Sequence, residues 1–284
     1  MVDDFVIKLL GGFLKVPTHL EFTVSPNGDQ ITGFATFEFR GDTATLNFTL
    51  YKSFPYTKAS PAPQTGRHVI LFTPAVGSPP IPGRGVASVK VSPTGSVKVV
   101  GTLSDGAQIS CGGSLSGEGI FPILQVLYGR KGAVAGFAQF GVGGALNELN
   151  WLRVSTTGAV VFNGKLEVSI HPYALPAAGI PAISFGSQDN TAPLSLSGGG
   201  LLNFPVIPVQ VTNANKVNVT GENENKLKLS LNKSTGLISG TISLEIGDVV
   251  RKRAIKLVII QEAAIAQGYF ISPEPSANAD LGVP

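Results

Sequence analysis

Hydrophobic and polar residues alternate with a period of two through most of this chain. Residues 31–39 set Ile31, Gly33, Ala35, Phe37 and Phe39 against mostly polar neighbours. Across the turn Gly41-Asp42, residues 44–51 answer with Leu46, Phe48 and Leu50 on one face. Such alternation predicts half-buried strands of antiparallel sheets. A short phrase punctuates the pattern. It reads Val24-Ser-Pro-Asn-Gly-Asp-Gln-Ile-Thr-Gly33, then Val91-Ser-Pro-Thr-Gly-Ser-Val-Lys-Val-Val-Gly101, then Val154-Ser-Thr-Thr-Gly-Ala-Val-Val-Phe-Asn-Gly164, then Leu231-Asn-Lys-Ser-Thr-Gly-Leu-Ile-Ser-Gly240. Each copy is a strand end, a tight turn with Gly at its tip, a second strand and a further Gly. This is a β-hairpin signature repeated along the chain.

The clearest meander covers strand windows 86–91, 96–103, 107–111, 122–128, 133–140, 146–154 and 159–170. Its turns are Ser92-Pro-Thr-Gly95, Ser104-Asp-Gly106 and Gly129-Arg-Lys-Gly132, and Asp-Gly between two strands is a strong tight-turn signal. Residues 172–193 are Pro/Ala-rich and then polar, which marks a boundary. Strand windows resume at 194–196, 206–211, 216–219, 226–231, 237–246, 250–260 and 267–271. Residues 254–266 have the local propensity of a helix, but the β-branched cluster Ile255, Val258, Ile259 and Ile260 favours a strand. The tail, 273–284, adds one last strand or stays loose. The expected fold is all-β. Antiparallel meanders form two barrel- or sandwich-like lobes, 1–171 and 194–284, joined by a linker at 172–193, or one continuous module.

Composition narrows the function classes. With 43% hydrophobic and 14% charged residues the chain is not of the disordered kind. A net charge of +3 is too small and scattered for a nucleic-acid footprint, and Arg251-Lys-Arg253 reads as a solvated strand start that discourages edge pairing. Cys111 is the sole cysteine, so no intrachain disulfide forms, and it reads as a buried inert thiol. Met1-Val-Asp-Asp is acidic where a signal peptide is basic, and 5–13 is too short and Gly-interrupted, so no signal peptide is expected. No stretch reaches eighteen apolar residues, which excludes a membrane helix. One Trp and five Tyr are too few for the aromatic girdles of a membrane barrel.

Residues 83–140 contain Gly85-Val-Ala-Ser-Val-Lys-Val-Ser-Pro-Thr-Gly-Ser-Val-Lys-Val-Val-Gly-Thr-Leu-Ser-Asp-Gly106, Phe121-Pro122, Leu127-Tyr128, Gly132 and Gly136-Phe137, with Trp151 following. Near the end, Ser234-Thr-Gly-Leu-Ile-Ser-Gly-Thr241 precedes Gly268-Tyr-Phe270. This ordered set resembles a Gly-rich β-repeat module of large exported bacterial surface proteins. The chain departs from that pattern at residues 273–278, which replace a Ser-Gly turn. The resemblance implies a secreted or cell-surface location and the role of an appended module. It transfers no active-site residue.

Direct signs of chemistry are sparse. His19, His68 and His171 lie in different segments without metal-ligand spacing, and no Gly-x-Ser-x-Gly elbow is present. Asp105, Glu118, Glu148, Glu167 and Asp248 are the carboxylates weighed for glycoside hydrolysis, but no spacing couples two of them. Gly141-Val-Gly-Gly144 and Gly198-Gly-Gly200 lack the Lys-Ser/Thr and the helix of a phosphate loop. Gly221-Glu-Asn-Glu-Asn225 reads as a solvated loop rather than a calcium site. Trp151, Tyr128, Tyr173 and Tyr269 are the candidate ligand-binding residues, as a platform on which sugar rings stack. The expectation is therefore a non-catalytic extracellular structural, adhesive or glycan-binding module with no metal or cofactor. Its partner is a polysaccharide or cell-surface molecule, or a second copy through exposed edge strands. The alternatives are a polysaccharide-active enzyme and a barrel holding a small apolar ligand.

Overall fold

The computed structural model describes residues 5–6, 17–39, 42–78, 83–141, 146–157, 159–201, 206–246, 249–272 and 277–282. Asp248, Gly41, Gly143 and Gly144 lie outside them. Among the described residues the chain is all-β, with one 3₁₀ turn at Gln261–Ala263. The window with helical propensity is strand up to that turn. Among the described residues no helix is long and apolar enough to cross a membrane. The chain forms two units, Met1–Phe54 and Pro55–Pro284.

Among its described residues the first unit is a four-stranded antiparallel sheet in the order β1 (Phe5–Val6), β2 (Pro17–Val24), β3 (Gln30–Phe39), β4 (Asp42–Tyr51). Its register sets Phe22, Gly33 and Phe48 in one cross-strand row and Val24, Ile31 and Leu50 in the next. The intervening rows, Glu21–Phe34–Asn47 and Thr23–Thr32–Thr49, belong to the other face and are mostly polar.

The second unit holds two eight-stranded antiparallel sheets of the same design. The first is a meander of β5 (Gly66–Pro74), β6 (Gly85–Val91), β7 (Ser96–Thr102), β8 (Gln108–Ser114), β9 (Ile120–Leu127), β10 (Gly132–Gln139), β11 (Glu148–Val154) and β12 (Val160–Pro172). Its first strand pairs with its last, Val69 opposite His171 and Leu71 opposite Ser169. The sheet thus curls into a nearly closed barrel. The remaining seam lies between β8 and β9. There the Ser110 amide donates to Gln125 Oε1 at 3.2 Å, and the Pro122 ring, which brings no N–H, lies beside Gly113.

The second barrel comprises β13 (Thr191–Ser197), β14 (Val206–Val211), β15 (Val217–Val219), β16 (Lys228–Asn232), β17 (Leu237–Ile246), β18 (Val249–Ile260), β19 (Ile265–Phe270) and β20 (Asn278–Leu281). Again first pairs with last, Leu194 opposite Leu281. Its seam lies between β15 and β16. The tail therefore supplies the strand that closes this barrel. The sequence reading places residues 1–171 in one lobe. In the structure the first barrel takes only 66–172, and residues up to Phe54 form a unit of their own.

Three of the four copies of the repeated phrase share one geometry, and Gly158, the turn glycine of the other, lies outside the described residues. The turn glycines Gly28, Gly95 and Gly236 take φ of 72°, 74° and 72°, the left-handed position of a bulged hairpin loop. In two copies a serine hydroxyl locks the turn. Ser25 Oγ accepts the Gln30 amide at 2.9 Å, and Ser92 Oγ accepts the Ser96 amide at 3.0 Å. The closing glycine does different work. A Cβ on Gly101 would overlap the Val86 carbonyl oxygen, and one on Gly240 would overlap that of Lys228. Only glycine lets the neighbouring strands approach this closely, and such points let a sheet coil into a barrel.

Each barrel encloses its own core. Phe72, Val89, Val99, Phe121, Ile123, Leu149, Trp151 and Leu166 fill the first. Leu194, Val209, Ile238, Ile242, Ile255, Leu257 and Phe270 belong to the second. β5 is buried on both faces: Ile70 and Phe72 enter the first core, while Val69 and Leu71 join the second cluster. The barrels therefore pack with the outer face of β5–β6 against β18–β19. Lys256 Nζ donates to Thr102 Oγ1 at 3.1 Å across this interface, Arg84 pairs with Asp280, and the Arg67 guanidinium donates to the Ser234 carbonyl.

Candidate functional site

Connectivity decides where chemistry collects. In an up-and-down barrel alternate turns share an end. The β7–β8, β9–β10 and β11–β12 turns therefore lie at one end of the first barrel, and the seam sets the first two side by side. Asp105 occupies the first turn, where its Oδ1 accepts the Ala107 amide at 2.9 Å. Tyr128, Gly129 and Arg130 follow β9 with φ of 54°, 61° and 73°. Left-handed backbone at a tyrosine and an arginine costs on the order of 1–2 kcal/mol each. This turn holds the Tyr128 side chain at the barrel mouth.

There the Tyr128 hydroxyl donates to Asp105 Oδ2 at 2.6 Å and accepts from Trp151 Nε1 at 2.9 Å. Arg153, two residues beyond Trp151 on β11, places its guanidinium carbon 4.7 Å from the Tyr128 ring centroid and a nitrogen 3.7 Å from Asp105 Oδ2. Burial, reinforced by the hydrogen bond and the charge of Asp105, pushes the Tyr128 phenol far above its usual range. The phenol keeps its proton and donates it, and the Asp105 carboxyl is held from several directions, by the Tyr128 hydroxyl, the Ala107 amide and Arg153. Arg153 is 43% exposed and keeps donors facing water. Asp105, Tyr128 and Arg153, with Gln108, Val126 and Leu127, line an open depression of about 480 Å³.

The four candidate aromatics do not share one surface. Trp151, Tyr173 and Tyr269 are buried, and Tyr128 is half-buried. Trp151 packs edge-on to Phe162 at 4.6 Å within the first core, with its N–H turned to the mouth. Tyr173 belongs to the second cluster and donates to the Lys233 carbonyl at 2.8 Å. Tyr269 faces the inter-barrel contact beside Lys256, its partner in register. Burial raises both phenols, each to about 12. Stacking a sugar needs an exposed ring face, and the buried rings offer none. Packing demanded their large apolar bodies, and the Trp151 N–H and the Tyr173 hydroxyl each found a partner.

Sequence reasoning assigned Asp105 to its turn alone and did not single out Arg153. Their signal was topological: counting meander strands puts Asp105 and Tyr128 at the same end. Among the other carboxylates, Glu148 and Glu167 are a couple after all, directly opposite across β11–β12. Lys165 reaches Glu148 Oε1 at 2.7 Å and relieves the like-charge contact on this outer face. Cys111 is half-buried, and burial raises its thiol pKa, so the thiolate is disfavoured. The histidines stay apart, bound to Glu21, to the Gln64 carbonyl and to Glu262 respectively. Among the described residues no group of three His, Cys, Asp or Glu is placed to hold a metal.

No family model matches the chain, and no curated protein matches it. A solved structure from Nostoc punctiforme, a protein of unknown function from the DUF3598 family, aligns at 9% identity. The alignment covers 77% of this chain and 94% of that one with a TM-score of 0.19. A likeness at that level carries no argument about this chain.

Proposed function

We propose that this chain is a non-catalytic, extracellular binding module that takes a polyhydroxylated ligand, a glycan, at the mouth of the first barrel. The carrying observation is the fixed array of Asp105, Tyr128 and Arg153 at an open depression. The guanidinium, partly exposed, and the carboxyl group fixed beside it offer donors and acceptors suited to vicinal hydroxyls. The indole and phenol beneath hold them in place without a cost of reorganisation on binding. Recognition runs through hydroxyls rather than through ring stacking, because Arg153 covers one face of Tyr128. Among the described residues Asp105 is the one carboxylate lining the depression, which favours binding over a hydrolase needing two. Export is supported by the resemblance to modules of bacterial surface proteins.

A glycan array followed by calorimetry tests the reading. Arg153→Ala is expected to cut affinity about tenfold or more, as loss of a charge-assisted contact does, with the thermal transition preserved. No glycan bound by the wild-type chain, or binding that Arg153→Ala leaves intact, would overturn the proposal.

A further inference from the structure

The first unit presents half of the architecture that the second unit shows twice. Each complete barrel has eight strands, while the sheet of β1–β4 has four among the described residues. The same phrase builds it, with Gly28 at the turn tip. It also shares the coiling device. A Cβ on Gly33 would overlap the Glu21 carbonyl oxygen, as one on Gly101 or Gly240 would overlap its neighbour's. In the barrels, Gly101 and Gly240 share rows with core residues: Gly101 lies opposite the buried Ala87 and Ile109, and Gly240 opposite the buried Ile255. The Gly33 row carries Phe22 and Phe48. Yet on this face Phe22 is 55%, Val24 49% and Leu50 53% exposed. A sheet with one apolar face needs a second layer over it.

We propose that the layer is the same sheet of a second copy. Two four-stranded sheets join edge to edge through β4 and enclose their apolar faces in an eight-stranded barrel shared between protomers. β4 pairs with β3 on one side and has no β-ladder partner on the other among the described residues. A two-fold axis through Asn47 pairs β4 antiparallel with its copy, the geometry an isologous interface imposes. That register sets position 46 opposite 48 and position 44 opposite 50, apolar with apolar. By sequence position it also aligns Asp42 with Lys52 at both ends, residues of opposite charge. Half exposed, Phe22, Val24 and Leu50 leave on the order of 300 Å² of surface in water, so two copies hide about 600 Å² from these positions alone. The joined edges add to this area, against the roughly 1,000 Å² of a stable interface. Complete closure is not required, since both barrels of this chain retain one seam without a ladder.

The test uses the full chain. Sedimentation over a wide concentration range is expected to show twice the mass of one chain, and Leu50→Lys is expected to return it to the mass of one. Hydrogen exchange reads the edge directly. The β4 amides are expected to exchange slowly in the concentrated wild type and quickly in Leu50→Lys, while those of the two barrels stay unchanged. A wild-type chain that sediments singly at all concentrations overturns the proposal. So does a dimer in which β4 exchanges freely, which would mean stacked faces rather than joined edges. Because the glycan reading concerns the first barrel, Leu50→Lys is expected to leave glycan binding unchanged, and the two ideas fail separately.

Discussion

The two barrels of the second unit share a topology and differ in substance. The first fills its interior with Trp151, Phe72 and Phe121, and its mouth carries Asp105, Tyr128 and Arg153. The second fills its interior mostly with Ile, Leu and Val, and Tyr269 faces its neighbour barrel rather than its own core. Strand alternation, left-handed turns and coiling glycines are common to both. A closed meander therefore depends on where apolar residues fall, not on which ones they are. The site chemistry follows the aromatics. An indole packed at a barrel end brings a polar N–H to the mouth, and a polar network grows from it. An aliphatic core leaves nothing to build on.

The largest expected effect breaks the comparison at its core. Trp151→Ala removes the largest buried side chain and leaves Tyr128 without its donor, and should destabilise the chain by about 4 kcal/mol. In the second barrel the same volume is spread over many aliphatic residues, so Ile242→Val should cost only about 1 kcal/mol. Denaturant titration measures both. Equal losses would mean that the first core does not depend on its aromatic anchor.

A somewhat smaller effect tests what the barrels have in common. Gly101→Ala and Gly240→Ala each drive a methyl into the opposite strand's carbonyl. Each should cost about 2–3 kcal/mol by forcing backbone shifts. Gly77 lies in a loop with open space around it but at a φ of 80°, so Gly77→Ala should lose only about 1 kcal/mol through backbone strain. Urea midpoints for the three variants rank them. Gly101→Ala at or below Gly77→Ala would show that coiling at the phrase's second glycine is not what shapes the barrel.

Much of this was legible in the chain because β structure writes itself locally. Alternation gives strands, and Ser-Pro-x-Gly or Asp-Gly gives turns whose chemistry demands those residues. What escaped was set by long-range pairing. Nothing near Leu194 says that it will lie opposite Leu281, and nothing near Gly66 says that a barrel starts there rather than at residue 1. The candidate site was half visible. Trp151 and Tyr128 stood out as rare aromatics, but their burial depends on the barrel interior. Asp105 became a partner of Tyr128 only when the seam between β8 and β9 brought two turns together, and Arg153 reached the Tyr128 ring through the β9–β10–β11 register. Glu148 and Glu167 met through cross-strand register, which one-residue shifts would undo.

The smallest expected effect sharpens the contrast through pH. His68 lies on β5, at the end of the first barrel opposite the Asp105 site. Its Nε2 lies 2.9 Å from the Gln64 carbonyl and its ring packs edge-on to Phe140 at 4.7 Å. Burial pulls its pKa below the ordinary 6.5, only partly offset by the carbonyl. The folded state thus binds the proton less readily than the unfolded chain. Stability is full above the unfolded value, falls as pH drops through it, and levels off below the lower folded value. The second barrel contains no histidine, so acid sensitivity from this source belongs to the first. His68→Gln, which keeps a donor for the Gln64 carbonyl, should flatten the dependence of the melting temperature between neutral and mildly acid pH. An unchanged slope in that variant would assign the effect to other groups and remove His68 as a difference between the barrels.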